Sequence, residues 1–228
     1  LIDVGLPAEE VNELVKPGDL ITPDVEMIDL SGRKVAAKAF DDRACVAAMS
    51  FCLDQLRGMR HSWDVYAAAT VQEETGYQGA TVASYKIQPD IAIALDVTFA
   101  EQPGVDQDST ASMNGGPAVG IGPNFHDKLR DKLLETAKTY EIKTQDDPIA
   151  GRSGTDAWAI QVSREGVPTL LLSIPIRNMH SPVETLDMAD IERTGRLLAH
   201  FIAGLDADFM AAIDWPGLAD LKTAETPA

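Results

Sequence analysis

Acidic side chains and one histidine follow four separate apolar runs of the sequence. They are Asp41 and Asp42 after KVAAKAF, Glu73 and Glu74 after DVYAAATV, Asp96 within IAIALDV, and His180 after LLLSIP. Carboxylates that crowd a partly buried place repel one another and lose hydration, so they need a compensating cation or bound protons. The nearby bases Arg43, Arg152 and Arg177 are too few and too scattered to neutralise the set. Carboxylate and imidazole together predict zinc, cobalt or manganese more than calcium.

The adjacent glutamates Glu73 and Glu74 are predicted to have different roles. Neighbouring side chains at a strand end point in different directions, so one of the pair can bind metal while the other faces an activated water. A metal hydrolase needs this arrangement of ligand and general base. A bridging carboxylate such as Asp41 could hold two ions roughly 3.5–4 Å apart. His61, His126 and His200 lack acidic neighbours of this kind and are predicted to be structural.

The apolar pattern predicts alternating strands and helices. A helix is expected from about residue 42 to 56, and a short helix after the turn at Gly76 and Gly79 is expected to end at about residue 86. Two more are expected from a cap at Asn124 to about residue 140 and from about residue 188 to 205. Short strands are expected within residues 19–38 (DLITP, VEMIDL and KVAAKA), and buried strands at 64–71, 91–97 and 167–175. The tail after Asp214 is weakly patterned. This order predicts a three-layer αβα fold with a mixed, mostly parallel central sheet, with ligands gathered beyond the carboxyl ends of its strands.

Composition limits the partners and the compartment. The formal net charge is −17 and the pI is about 4.5, which disfavours nucleic acid and anionic membrane surfaces as partners. No apolar run is long enough to span a bilayer, so we expect a cytoplasmic protein. Cys45 and Cys52 lie on one predicted helix, separated by a rise of roughly 10 Å. That separation is too large for a disulfide, and both are predicted to be buried thiols.

Four segments of the sequence resemble a known family. They are AFDDRA (39–44), VQEETGYQGA (71–80), PDIAIALDVT (89–98) and GRSGTDAWAIQVSREGVPTLLLSIPIRNMHSPVE (151–184). In order and spacing they resemble the tetrahedral aminopeptidases, which are dimetal glutamyl or deblocking aminopeptidases of prokaryotes. The resemblance implies a zinc-aminopeptidase-like fold, peptide substrates, two divalent ions (Zn, Co or Mn), and dimers that assemble into a dodecamer.

The resemblance also implies a role for each site residue. Asp41 would bridge both ions, and Glu73 would be the general base and acid. Glu74 and His180 would bind one ion, and Asp96 would bind the other. The remaining implied residues are Asp42 and Arg43, which would support the site, and Gly154, Thr155 and Asp156, which would shape the substrate pocket.

The sequence departs from the family in one respect. Family members carry a histidine motif well before the Asp41 segment, which supplies a further ligand to the ion held by Asp96, whereas no histidine precedes His61 here. We therefore expect residues 1–36 to be a remnant of a small β-rich dimerisation domain and residues 37–228 to be a catalytic domain without its first part. Two alternatives stay open: a truncated, non-catalytic homologue, and a glycoside hydrolase that uses a carboxylate pair. The second is disfavoured by an aromatic content of only 6%.

Overall fold

The computed structural model describes residues 2–213. The helices are α1 (Ala8–Leu14), α2 (Phe40–Leu56), α3 (Gln78–Ile87), α4 (Asp127–Thr139), α5 (Asp156–Ile160), α6 (Met188–Ala203) and α7 (Phe209–Ile213). The strands are β1 (Ile28–Asp29), β2 (Lys34–Ala37), β3 (Ala92–Phe99), β4 (Ala118–Ile121), β5 (Gln145–Pro148), β6 (Thr169–Ile176) and β7 (Glu184–Asp187). Among these helices, none combines the length and the apolar character needed to cross a bilayer.

The main sheet has the order β3-β6-β4-β5. β3 runs parallel to β6 along its whole length, from Ala92 beside Thr169 to Phe99 beside Ile176. β4 is antiparallel to β6 and parallel to β5. The sheet is therefore mixed and mostly parallel, and the predicted fold class is confirmed.

Helices cover both faces of this sheet. Leu170 and Leu172 of β6 are fully buried and belong to a core that includes side chains of α4 and α6. Leu171, whose side chain points to the opposite face, packs with Ala157 of α5 and with Phe125. Successive residues of a strand face opposite sides, so this alternation divides the helices into two outer layers.

A second, smaller sheet brings distant parts of the chain together. β2 lies between β1 and β7 and pairs antiparallel with both, with Ala37 opposite Glu184. This pairing sets the start of α2 beside the loop between β6 and β7. The predicted strand DLITP is wrong: Leu20 and Ile21 are exposed and have no neighbouring strand. The domain boundary between residues 36 and 37 stays a prediction.

The predicted strand at residues 64–71 is also wrong. In the part of the chain that the structure describes, residues 64–70 make no backbone hydrogen bond, and Val71 accepts one from Gly79 of α3. Tyr66 is 71% exposed and Val71 67% exposed. An extended apolar segment becomes a strand only beside another strand, and no strand of the main sheet lies next to this segment.

The predicted helices are confirmed with small shifts at their ends. α4 begins one residue after His126 and not after Asn124, because Phe125 first closes a turn onto Gly122 and His126 donates to the Thr169 carbonyl. Cys45 and Cys52 are both buried thiols on α2. The weakly patterned tail after Asp214 lies outside the described residues.

Candidate metal centre

Three predicted ligands meet at one point. The ligand atoms of Asp41, Glu74 and His180 all lie within 4.8 Å of one another. His180 Nε2 is 3.0 Å from Asp41 Oδ2 and 3.6 Å from Glu74 Oε2. The Asp41 side chain is 8% exposed and that of His180 is 63% exposed. The site is therefore buried at Asp41 and open to solvent at His180. We call these three residues the ligand trio.

Each member of the ligand trio comes from a different irregular segment. Asp41 lies in the first turn of α2, where the backbone departs from helical geometry and the Asp41–Asp42 peptide is cis. Glu74 lies in a short 3-10 turn, and His180 lies in the loop between β6 and β7. His180 itself has a positive φ of 62°, a conformation that non-glycine residues rarely adopt.

A residue that the sequence reasoning did not assign holds two of the candidate ligands in place. Glu184 is 2% exposed. Its Oε2 accepts the backbone N–H of Asp41 at 3.1 Å, and its Oε1 accepts the backbone N–H of His180 at 2.9 Å. One buried carboxylate thus fixes the start of α2 and the His180 loop together. The available signal was an acid four residues after His180, at the start of β7.

Asp96 lies apart from the ligand trio. Its side chain is buried and its Oδ1 accepts the backbone N–H of Val97 at 2.7 Å. Burial, and then the charge of Asp42, raises the pKa of Asp96 well above its usual range. Burial also raises the pKa of Asp42 to about 7, against a lowering contribution from the Cys45 thiol. Asp96 and Asp42 therefore form a second acidic pair next to the trio.

The Glu73 carboxyl is affected by the charges of several neighbouring carboxylates. Its pKa is raised to about 7, first by burial and then by the charges of Asp156, Glu74 and Asp41. The pKa of Asp41 is raised to about 6, by burial and then by Glu74. Without a cation the cluster therefore retains protons near neutral pH, as expected of carboxylates that share one buried place.

The cluster fits a bound cation. Glu73 Oε1, Asp42 Oδ1 and Asp156 Oδ1 are buried, and none of the described residues offers them a hydrogen-bond donor. Buried carboxylate oxygens without donors are costly unless a positive charge lies nearby. The ligand trio offers two carboxylates and one imidazole, a donor set that suits zinc, cobalt or manganese.

The residues predicted to shape the substrate pocket differ in their surroundings. Thr155 is buried and its hydroxyl caps α5 by accepting the Ala157 N–H at 3.3 Å. Asp156 accepts a hydrogen bond from Thr70, and its charge acts on Glu73. Gly154 is exposed in a turn with a φ of +70°. Arg43 is exposed beside Asp42. The pocket and support roles of these residues stay predictions.

Known proteins match this chain in sequence. The sequence pattern of the family described as M42 glutamyl aminopeptidase matches residues 1–197. A lysyl aminopeptidase of Pyrococcus furiosus is 42% identical over 199 residues, which cover 86% of this chain and 57% of that protein.

Solved structures extend the match. An aminopeptidase from the archaeon Desulfurococcus kamchatkensis superposes with a TM-score of 0.84 at 36% identity, over 95% of this chain and 62% of that one. The TET1 peptidase of Pyrococcus horikoshii, which can assemble into a tetrahedron or a large octahedral shell, superposes with a TM-score of 0.75 at 32% identity. That match covers 89% of this chain and 60% of the other. The chain thus spans about three fifths of the length of these relatives. The resemblance predicted from its motifs is confirmed, and the chain belongs to the M42 glutamyl aminopeptidase family.

Proposed function

We propose that this protein hydrolyses N-terminal residues from peptides with the help of two divalent cations. The observation that carries the proposal is the ligand trio with Glu73 beside it. Asp41, Glu74 and His180 would hold one ion, and Asp41 together with Asp96 would hold the other. Zinc, cobalt and manganese all suit this donor set.

A bound divalent ion supplies Lewis-acid polarisation of the scissile carbonyl and of the attacking water. Glu73 is the residue of this chain that moves the proton. Its Oε1 is buried and has no donor among the described residues, so this carboxylate oxygen is free to accept a proton. Glu73 would take a proton from water as the oxygen joins the carbonyl carbon. It would then give that proton to the nitrogen of the leaving amine as the C–N bond breaks.

The experiment that tests this proposal compares one base variant with one control. The 228-residue chain is supplied with Zn²⁺, Co²⁺ or Mn²⁺, and release of N-terminal residues from short peptides is measured. Glu73→Gln is expected to lower kcat about 10²–10⁴-fold, because it removes the proton acceptor. Glu165→Gln, at an exposed position, is the matched control and leaves the rate unchanged. Activity that survives both exhaustive chelation and Glu73→Gln would contradict the proposal.

We also propose that the chain forms a homo-oligomer in the cytoplasm, with dimers that assemble into a dodecamer. The assembly of the Pyrococcus horikoshii peptidase into closed shells supports this. Residues 1–36, which include β1 and part of β2, would belong to the dimerisation module. The mass of the purified protein in solution tests this, and a monomer at all concentrations would contradict it.

A second candidate function is that of a non-catalytic homologue that binds or assembles without hydrolysing peptides. Among the described residues only one group of three metal-binding side chains converges, the ligand trio, and this favours it. A metal titration separates the two functions. Two tightly bound ions favour the peptidase, whereas one weak ion or none favours the non-catalytic homologue.

A further inference from the structure

A hollow of about 590 Å³ lies between α3 and α5, next to the metal centre. Its near end is formed by Gly76 and Tyr77, which directly follow the short 3-10 turn that carries Glu74. Its far end is formed by Lys86 of α3 and by Arg164. The helix between the two ends rises roughly 13 Å. We call this feature the basic hollow.

The basic hollow differs in charge from the rest of the chain. Acids outnumber bases 36 to 19 in the sequence, yet the described residues that line this hollow include three bases and no acid. The bases are Lys86, Arg152 and Arg164. The adjoining hollow that reaches the metal centre is lined instead by four acids and one base. The basic hollow therefore favours a negatively charged group close to the metal centre.

Arg152 is held in place by two aromatic rings. The carbon of its guanidinium lies 5.1 Å from the centre of the Tyr77 ring and 5.6 Å from that of Trp158. No described residue forms a hydrogen bond or an ion pair with this guanidinium, whereas Arg164 donates its Nε–H to the Tyr85 carbonyl at 2.7 Å. The rings restrict Arg152, and its N–H groups stay available to a carboxylate.

Exposed apolar side chains line the space between the bases. Val82 and Tyr85 of α3 are 66% and 59% exposed, and Val162, which follows α5, is 71% exposed. Aromatic side chains and arginine are the residues that contribute most often to binding energy at protein surfaces. An acidic peptide fits this surface, because its carboxylates are carried on hydrocarbon stems.

We propose that the basic hollow binds the part of a peptide substrate that follows the scissile bond, and that Arg152 binds an acidic side chain there. This inference rests on the proposed aminopeptidase function. An aminopeptidase substrate has one residue before the scissile bond, so surface that extends roughly 13 Å beyond the turn of Glu74 meets the residues after it. An extended peptide covers that distance with about four residues. The preferred substrates are therefore peptides with Glu or Asp within the few residues after the first.

The test measures peptide binding by calorimetry. The chain carries Glu73→Gln, so that peptides stay intact, and is supplied with Zn²⁺. Two peptides, Ala-Glu-Glu-Ala amide and Ala-Gln-Gln-Ala amide, differ only in charge after the first residue. The acidic peptide should bind at least about tenfold more tightly at low ionic strength, because a carboxylate and a guanidinium form strong paired hydrogen bonds.

Two variants locate the binding. Arg152→Gln should remove most of the preference for the acidic peptide. Arg57→Gln is the matched control, because it removes the same charge at an exposed position at the end of α2, and it should keep the preference. Equal affinity for the two peptides, no measurable binding of either, or a preference unchanged by Arg152→Gln would overturn the proposal.

A third peptide, Glu-Gln-Gln-Ala amide, moves the charge to the first residue. If it binds more tightly than Ala-Glu-Glu-Ala amide, the proposal is also overturned, because the hollow would then hold the N-terminal residue. Failure of the proposed function appears separately. A chain that prefers the acidic peptide, but in its unchanged form releases no N-terminal residue with any of the three metals, contradicts the peptidase activity and not the peptide site.

Discussion

β6 and β3 are neighbouring strands of equal length with similar apolar sequences, yet their surroundings differ. β6 lies between β3 and β4, and all eight of its residues are buried. β3 lies at the edge of the sheet, and only three of its eight residues are buried. Apolar sequence makes both runs strands, but the neighbours of a strand decide how completely it is buried.

The metal centre shows the same contrast. On the side near β7, Glu184 accepts hydrogen bonds from the backbone of both Asp41 and His180, and these two candidate ligands are held together. On the side near residues 68–70, Asp42 and Glu73 keep buried oxygen atoms without donors among the described residues. The half of the site that contains Asp41 and His180 is therefore held by hydrogen bonds to Glu184. The half that contains Asp42 and Glu73 has no such partner among the described residues.

The largest difference between the two strands should appear in stability. Leu172→Ala in β6 is expected to lower the free energy of unfolding by about 2–5 kcal/mol, because it leaves a cavity in a fully buried core. Ile93→Ala in β3 should cost less, because Ile93 is only partly buried at the edge of the sheet. Urea unfolding of both variants measures the difference. Equal losses would show that the edge of β3 is as closed as β6.

A smaller effect is expected from the carboxylate that orders the ligands. Glu184→Gln should weaken affinity for Zn²⁺ about 10- to 100-fold, the usual cost of altering a group that orients metal ligands. Calorimetric titration of the metal-free protein measures this. Glu192→Gln is the control, because Glu192 only forms an exposed ion pair with Arg33. If both variants bind zinc equally well, Glu184 does not organise the site.

The smallest expected effect is a dependence of stability on pH in the metal-free protein. Burial raises the pKa of Asp42 to about 7, well above the value that this side chain has in an unfolded chain. The folded state therefore binds more protons at this side chain, so the contribution of Asp42 to stability is full below about pH 4 and is lost as pH rises through 7. Tm should be higher at pH 5 than at pH 8 by at least about 2–4 °C.

Asp42→Asn distinguishes this source of pH dependence from the general repulsion of a chain with a net charge of −17. The variant has no carboxyl group at this position and should show a smaller difference in Tm between the two pH values. An unchanged difference would show that Asp42 does not titrate in this range.

Sequence patterns predicted the two long strands of the main sheet and the long helices that cover it. The apolar runs of β3 and β6 and the helical faces of α2 and α6 gave their positions to within a few residues. β4 and β5 were not predicted, because AVGI is short and QDDP is polar. An edge strand such as β5 needs no apolar face and can end at a proline.

The misses have a common physical origin. Residues 64–71 have the composition of a buried strand, but pairing depends on a neighbour that periodicity cannot supply. Glu184 was passed over because a lone acid carries no signal until β2 and β7 pair and bring it under Asp41. Asp41, Glu74, Asp96 and His180 could be predicted as candidate ligands because they belong to motifs, whereas the convergence of Asp41, Glu74 and His180 within 4.8 Å is visible only in three dimensions.

One measurement tests the metal centre most directly. The metal-free 228-residue chain and its His180→Ala variant are titrated with Zn²⁺ by calorimetry. Removal of one of three converging ligands should weaken the tightest binding by more than the roughly 100-fold upper value for an outer-shell change. Zinc binding of equal affinity and stoichiometry in both proteins would contradict a metal centre built on Asp41, Glu74 and His180.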